Sequence, residues 1–108
     1  MLGEHGKSEQ KNKRFYIDVN IKGSKQRFHY GDPNGFTYID GADDKTRENY
    51  WRRHWGSERE REYIANLIPS PALFAAMLLW GKSHDFFENY DTLDKLLKKN
   101  IKYKYESI

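Results

Sequence analysis

A chain of 108 residues with no cysteine, 37% hydrophobic and 16% aromatic residues, and a net charge of +3 from nineteen basic and sixteen acidic side chains has the length of one domain, with no room for a second. The missing cysteines exclude disulfides, thiolate zinc sites and cysteine nucleophiles. The positive excess is mild and dispersed, unlike the clustered footprint of a dedicated DNA-binding protein, and the longest apolar run, nine residues from Ala72 to Trp80, falls short of the about 20 that a membrane-spanning helix needs.

The apolar fraction lies below the about 45–50% of ordinary domains, so the core is lean. Six Phe, eight Tyr and three Trp compensate, since each buried ring removes on the order of 150–250 Å² from water. In so small a chain some rings must stay partly exposed, and Tyr and Trp are the types that make contact area at interfaces. The composition suits an interaction module.

Residues 1–13 hold little to bury, so a flexible N-terminal arm is expected there. This stretch has no apolar signal region, and a secretory signal or anchor is not expected. A single α+β domain is assigned to residues 14–100 and a C-terminal tail to 101–108. From Phe15 the pattern alternates, with Phe15, Ile17, Val19 and Ile21 on one face and Tyr16, Asp18 and Asn20 on the other, predicting a half-buried strand. Lys22 to Lys25 form a turn around Gly23, and Gln26 to Tyr30 close an antiparallel β-hairpin. Asp32-Pro33-Asn34-Gly35 is a second turn, and Phe36 to Ile39 is a candidate third strand that would complete a three-stranded sheet.

A bundle of three to four helices is expected to follow. The first runs from about Asp43 to Trp55, with acids at its start, Arg52 and Arg53 near its end and Gly56 just beyond. Tyr50, Trp51, His54 and Trp55 form its apolar stripe. Ser57 and Glu60 have capping-box spacing for the next helix, whose alternating Glu and Arg residues read as a solvated face. Ser70 and Pro71 then suit the N-cap and first position of a helix from Ala72 to Trp80. That helix is apolar all round. Either it is the central core helix, or part of it is exposed in the isolated chain and covered by another subunit. Ser83 to Lys99 is an amphipathic helix with Asn100 as its left-handed terminator, and the alternating tail from Ile101 to Tyr105 could add an edge strand or lie along a neighbour.

Chemistry is sparse. The four histidines have no metal-ligand spacing, the glycines form no phosphate-binding loop, and Asp32, Asp40, Asp43 and Asp44 have turn or capping roles that make a metal-dependent nuclease a poor reading. No enzyme, cofactor or metal is expected. Nucleic-acid binding is the alternative: Arg47, Arg52, Arg53, Arg59 and Arg61 lie near Tyr50, Trp51 and Trp55, a basic-aromatic mixture interrupted by Glu48, Glu58, Glu60 and Glu62.

Three motifs add to this reading: Phe28-x-Tyr30-Gly31-Asp32-Pro33, then Asp44-x-x-Arg47-x-x-Tyr50-x-x-Arg53-His54, then Leu78-Leu79-Trp80-x-Lys82. In this order they resemble a family of small proteins encoded by large double-stranded DNA viruses of algae and protists, over positions 15 to 97. The resemblance implies a non-enzymatic virion protein, synthesised in the host cytoplasm. It would act as a minor capsid component, cementing or bridging major and other minor capsid proteins in an icosahedral particle. Arg47, Tyr50, Trp51, Arg53 and Trp80 are the residues expected to hold the fold or its contacts.

Overall fold

The computed structural model describes residues 1–105. It is an α+β fold: a three-stranded antiparallel sheet followed by four helices. Strands β1 (Leu2–Lys7), β2 (Phe15–Ile21) and β3 (Ser24–Tyr30) lie in the order β1-β2-β3. The hairpin between β2 and β3 is in register from Phe15 opposite Tyr30 to Ile21 opposite Ser24. Its two-residue turn holds Lys22 at φ 51° and Gly23 at φ 80°, the doubly left-handed backbone whose twist matches that of the strands it joins. Ile17, Val19 and Tyr30 face the core and are buried.

The arm expected at residues 1–13 is instead partly a strand, because β1 pairs with β2 from Lys7 opposite Phe15 to Leu2 opposite Val19. A register shift between Leu2 and His5 breaks the period-two signal. What holds β1 comes from distant residues: the Leu2 amide donates to Asp94 Oδ1 at 3.1 Å, the Tyr90 hydroxyl donates to the Gly3 carbonyl at 2.8 Å, and the His5 ring packs 4.3 Å from Phe86.

The third strand expected at Phe36–Ile39 is absent. Tyr38–Asp40 form a single 3-10 turn, because the Asp40 carboxylate accepts from both the Thr37 amide at 2.9 Å and the Thr37 hydroxyl at 2.7 Å. Arg14 grips the same carboxylate at 2.5 and 2.7 Å. That hydrogen bond, with those from Thr37, holds Asp40 far below the usual carboxylate range.

Helix α1 (Asp44–Gly56) starts where Asp43 accepts from the Thr46 amide at 2.8 Å. It runs through Gly56, so the stop is one residue later than expected, and only extended Ser57 separates it from α2 (Glu58–Ala65). The capping box at Ser57 does not form, since the Ser57 side chain makes no cap and Glu60 turns to His54. Ser70 caps α3 (Pro71–Phe74) by accepting from Leu73 at 3.2 Å. The same helix continues as a wider π-type turn over Ala75–Leu79, closed by the Trp80 amide donating to the Ala75 carbonyl at 3.2 Å. Leu73, Phe74 and Ala76 to Leu79 are all buried, so this apolar helix is the core itself. The sheet, α1, α2 and α4 cover its buried side. Ala72, Ala75 and Trp80 are only half-buried, so the helix is mainly core and a small part of its surface stays open to another chain.

Asp85 caps α4 (Phe86–Lys99) and Asn100 ends it in the left-handed conformation at φ 53°. Residues 101–105 form neither an edge strand nor an extended free tail. The Tyr103 amide donates to the Ala65 carbonyl at 2.9 Å, and the Tyr105 ring stacks on Trp51 at 5.1 Å. The rest of the tail expected at 101–108 lies outside the described residues. No helix among those described is long and apolar enough to cross a membrane.

Candidate functional site

The spacing of α1 sends its side chains in two directions, and the four candidate residues it carries divide between them, while Trp80 stands at the end of the core helix. Arg47 and Trp51, one turn apart, point inward to the chain leaving the core helix. Trp51 Nε1 donates to the Trp80 carbonyl at 2.7 Å, and Arg47 Nε donates to the Trp80 and Gly81 carbonyls at 3.1 and 2.8 Å. These carbonyls lie at a helix end, where no intrahelical donor remains. Arg47 is only 8% exposed, so its role is to hold the fold.

Tyr50 and Trp80 stack at 4.6 Å with planes 9° apart, and the other face of Tyr50 carries His54 at 4.1 Å. Burial, with the nearby Glu60 charge, pushes the Tyr50 phenol well above its ordinary range, so it stays protonated. This three-ring stack forms one wall of a surface cleft of about 820 Å³. The loop carrying Asp32, Phe36 and Thr37 forms a second wall, the start of α2 a third, and Pro71, Ala72, Ala75 and Leu79 contribute the apolar floor.

Arg53, the last candidate, lines this cleft together with Arg59 of α2. Among the described residues neither makes an ion pair. Arg53 Nη2 lies 3.4 Å from His54 Nε2, and the Arg59 guanidinium lies 6.0 Å from the centre of the Tyr63 ring. The two acids of the cleft are otherwise engaged: Glu60 pairs with His54 Nδ1 at 2.9 Å, and Asp32 accepts from the Asn34 amide at 2.9 Å. The cleft therefore presents two guanidiniums that form no direct ion pair, above an apolar floor. Phe36, 65% exposed, stands at its edge.

The basic patch of five arginines shrinks to this pair. Arg47 points inward, Arg52 pairs with Glu48 at 2.6 Å, and Arg61 donates to the Trp55 carbonyl at 3.0 Å. The rings offered for base stacking are engaged as well, Tyr50 between His54 and Trp80, Trp51 against Tyr105, and Trp55 beside Tyr103. Asp43 caps α1 and Asp44 accepts from the Tyr38 hydroxyl at 2.6 Å. Among the described residues no three metal-ligating side chains gather in one place.

Sequence reasoning missed Phe36 and Tyr63 as lining residues. A bulky ring directly after the Pro-Asn-Gly turn was the available signal for Phe36, since a loop seldom buries such a residue. Arg59 belongs to the basic-aromatic patch of the sequence, and its place beside Arg53 in the cleft agrees with that grouping. Compared with protein-family models, with curated proteins and with solved structures, the chain matches none.

Proposed function

We propose that this protein is a minor capsid component that cements or bridges larger capsid subunits by protein-protein contacts in the virion. The motif resemblance supports the virion assignment, and the cleft supports the mode of action. The observation that carries the contact reading is the pairing of unpaired Arg53 and Arg59 with exposed Phe36 around an apolar floor, the combination of arginine and aromatic anchors on which interfaces concentrate binding energy.

Arg14 with Asp40, Arg27 with Asp18 and Lys98 with Asp94 are displaced in titration as structural pairs. Their chemistry is that of fold-holding ion pairs, which fits a protein that binds and does not turn over a substrate. The test is purification of assembled particles followed by quantitative mass spectrometry. A cement is present at a fixed ratio to the major capsid protein and stays bound through repeated washing. A ratio that falls with each wash, or a protein found only in the infected-cell lysate, overturns the reading.

A further inference from the structure

We infer that the occupant of the cleft is an acidic segment of a partner protein that carries an aromatic or large aliphatic anchor. This rests on the interaction reading above and assigns the partner's chemistry. Two guanidiniums face the same cleft and neither is ion-paired, since Glu60 turns to His54 and Asp32 to the Asn34 amide. Guanidiniums in this state favour carboxylates, which they grip through paired, charge-assisted hydrogen bonds. The floor is aliphatic and Phe36 stands exposed beside it. A free inorganic anion would leave that apolar surface wet, whereas a side chain between acidic residues covers it.

A single-stranded nucleic acid fits less well. Its bases need open ring faces, and the largest rings here, Tyr50 and Trp80, are stacked on one another with His54 behind.

The experiment titrates the full chain into a fluorescently labelled synthetic peptide with one Phe among Glu residues, followed by anisotropy at low and moderate salt. Saturable binding is expected, weakened about tenfold by the double change Arg53→Ala and Arg59→Ala. Comparable weakening is expected from Phe36→Ser, and from replacing the peptide's Phe with Gly. Arg53 and Arg59 are exposed, so the double variant should retain the wild-type melting temperature. Equal binding by wild type and double variant, equal binding of a peptide with Lys for Glu, or displacement of the peptide by a lower concentration of oligothymidylate each overturns the inference. The particle assay separates the two readings. Wild type and double variant incorporated equally would remove the acidic-segment assignment and leave the capsid role standing. Wild type absent from particles would remove the capsid role, while the peptide titration still decides what the cleft binds.

Discussion

The indole of Trp51 donates its one hydrogen bond to the main-chain carbonyl of Trp80, 29 positions later in the chain, at 2.7 Å. Arg47 reaches the same oxygen from one turn earlier, at 3.1 Å. Two donors on one face of α1 thus hold the exit of the core helix, and Tyr50, on the adjacent face, stacks on the Trp80 ring. The spacing Arg47-x-x-Tyr50-Trp51 and the distant Trp80-Gly81 are parts of a single joint.

Shared satisfaction of one carbonyl makes the two donors non-additive. Trp51→Phe leaves Arg47 in place and should cost about 1–3 kcal/mol, including lost ring volume. Arg47→Leu should cost a similar amount. Together they orphan the oxygen, so urea unfolding of the double variant should show a loss exceeding the sum by about 1 kcal/mol. Strict additivity would mean that water or another group satisfies the carbonyl.

Gly81 lies where no side chain fits. A Cβ there would come within 2.5 Å of both Asn89 Cγ and the Met77 carbonyl oxygen. Asn89 cannot withdraw freely, since its Nδ2 donates to the Leu78 and Ser83 carbonyls at 3.1 and 2.8 Å and its Oδ1 accepts from the Ser83 amide at 3.0 Å. Gly81→Ala should therefore destabilise by about 1–3 kcal/mol. Gly56→Ala is the control: it lies in α1 with nothing within 4 Å and should stabilise by about 0.5–1 kcal/mol. Equal melting temperatures for the two variants would contradict this packing.

His5 couples β1 to pH. Burial lowers its pKa from 6.5 to about 4, and its Nε2 lies 2.7 Å from the Tyr30 hydroxyl. The unfolded chain therefore binds more protons between these values, so stability falls as pH drops from 6.5 towards 4 and is fully present above that window. Discounted for partial solvent exposure, the contribution is on the order of 1–2 kcal/mol. Chemical denaturation across this range should show a slope that His5→Phe flattens. An unchanged slope in the variant would assign the acid sensitivity to other groups.

The tail acts as a cover for the indoles. Tyr103 and Tyr105 pack on Trp51 at 5.5 and 5.1 Å, and on Trp55 at 6.3 and 6.2 Å. Ending the chain after Asn100 should shift tryptophan emission to longer wavelength and reduce stability by about 1–3 kcal/mol. Emission identical to that of the full chain would show that the rings are uncovered in solution.

Much of this fold can be read locally. Phe15 to Ile21 alternate in the sequence and form β2, Gly23 supplies part of the tight turn, Asp43 and Ser70 cap as their spacing implies, and Asn100 adopts the left-handed terminus. Local competition misled the reading at Phe36 to Ile39, where β-favouring residues give way to the Thr37–Asp40 hydrogen bonds. At Ser57 the expected cap lost Glu60 to a histidine six positions away.

The site was half legible. Tyr50, Trp80 and Arg53 meet at the cleft, while Arg47 and Trp51 serve the joint behind it. Composition showed a surplus of rings but could not show which of them cover one another. Phe36 remains outside the core and so does Phe87, 75% exposed on the first turn of α4.

Periodicity and capping depend on residues a few positions apart, so the amino-acid order alone placed the hairpin of β2 and β3 and the helices to within a few residues, with β3 starting at Ser24 where Gln26 was expected and α4 at Phe86 where Ser83 was expected. Pairing partners for β1, the cover over most of the apolar core helix and the sharing of one cleft by Phe36, Arg53 and Arg59 were decided only by tertiary structure. Each depends on groups brought together across turns or long loops, and a hydrogen-bonding edge or an unpaired charge leaves no periodic trace in the chain.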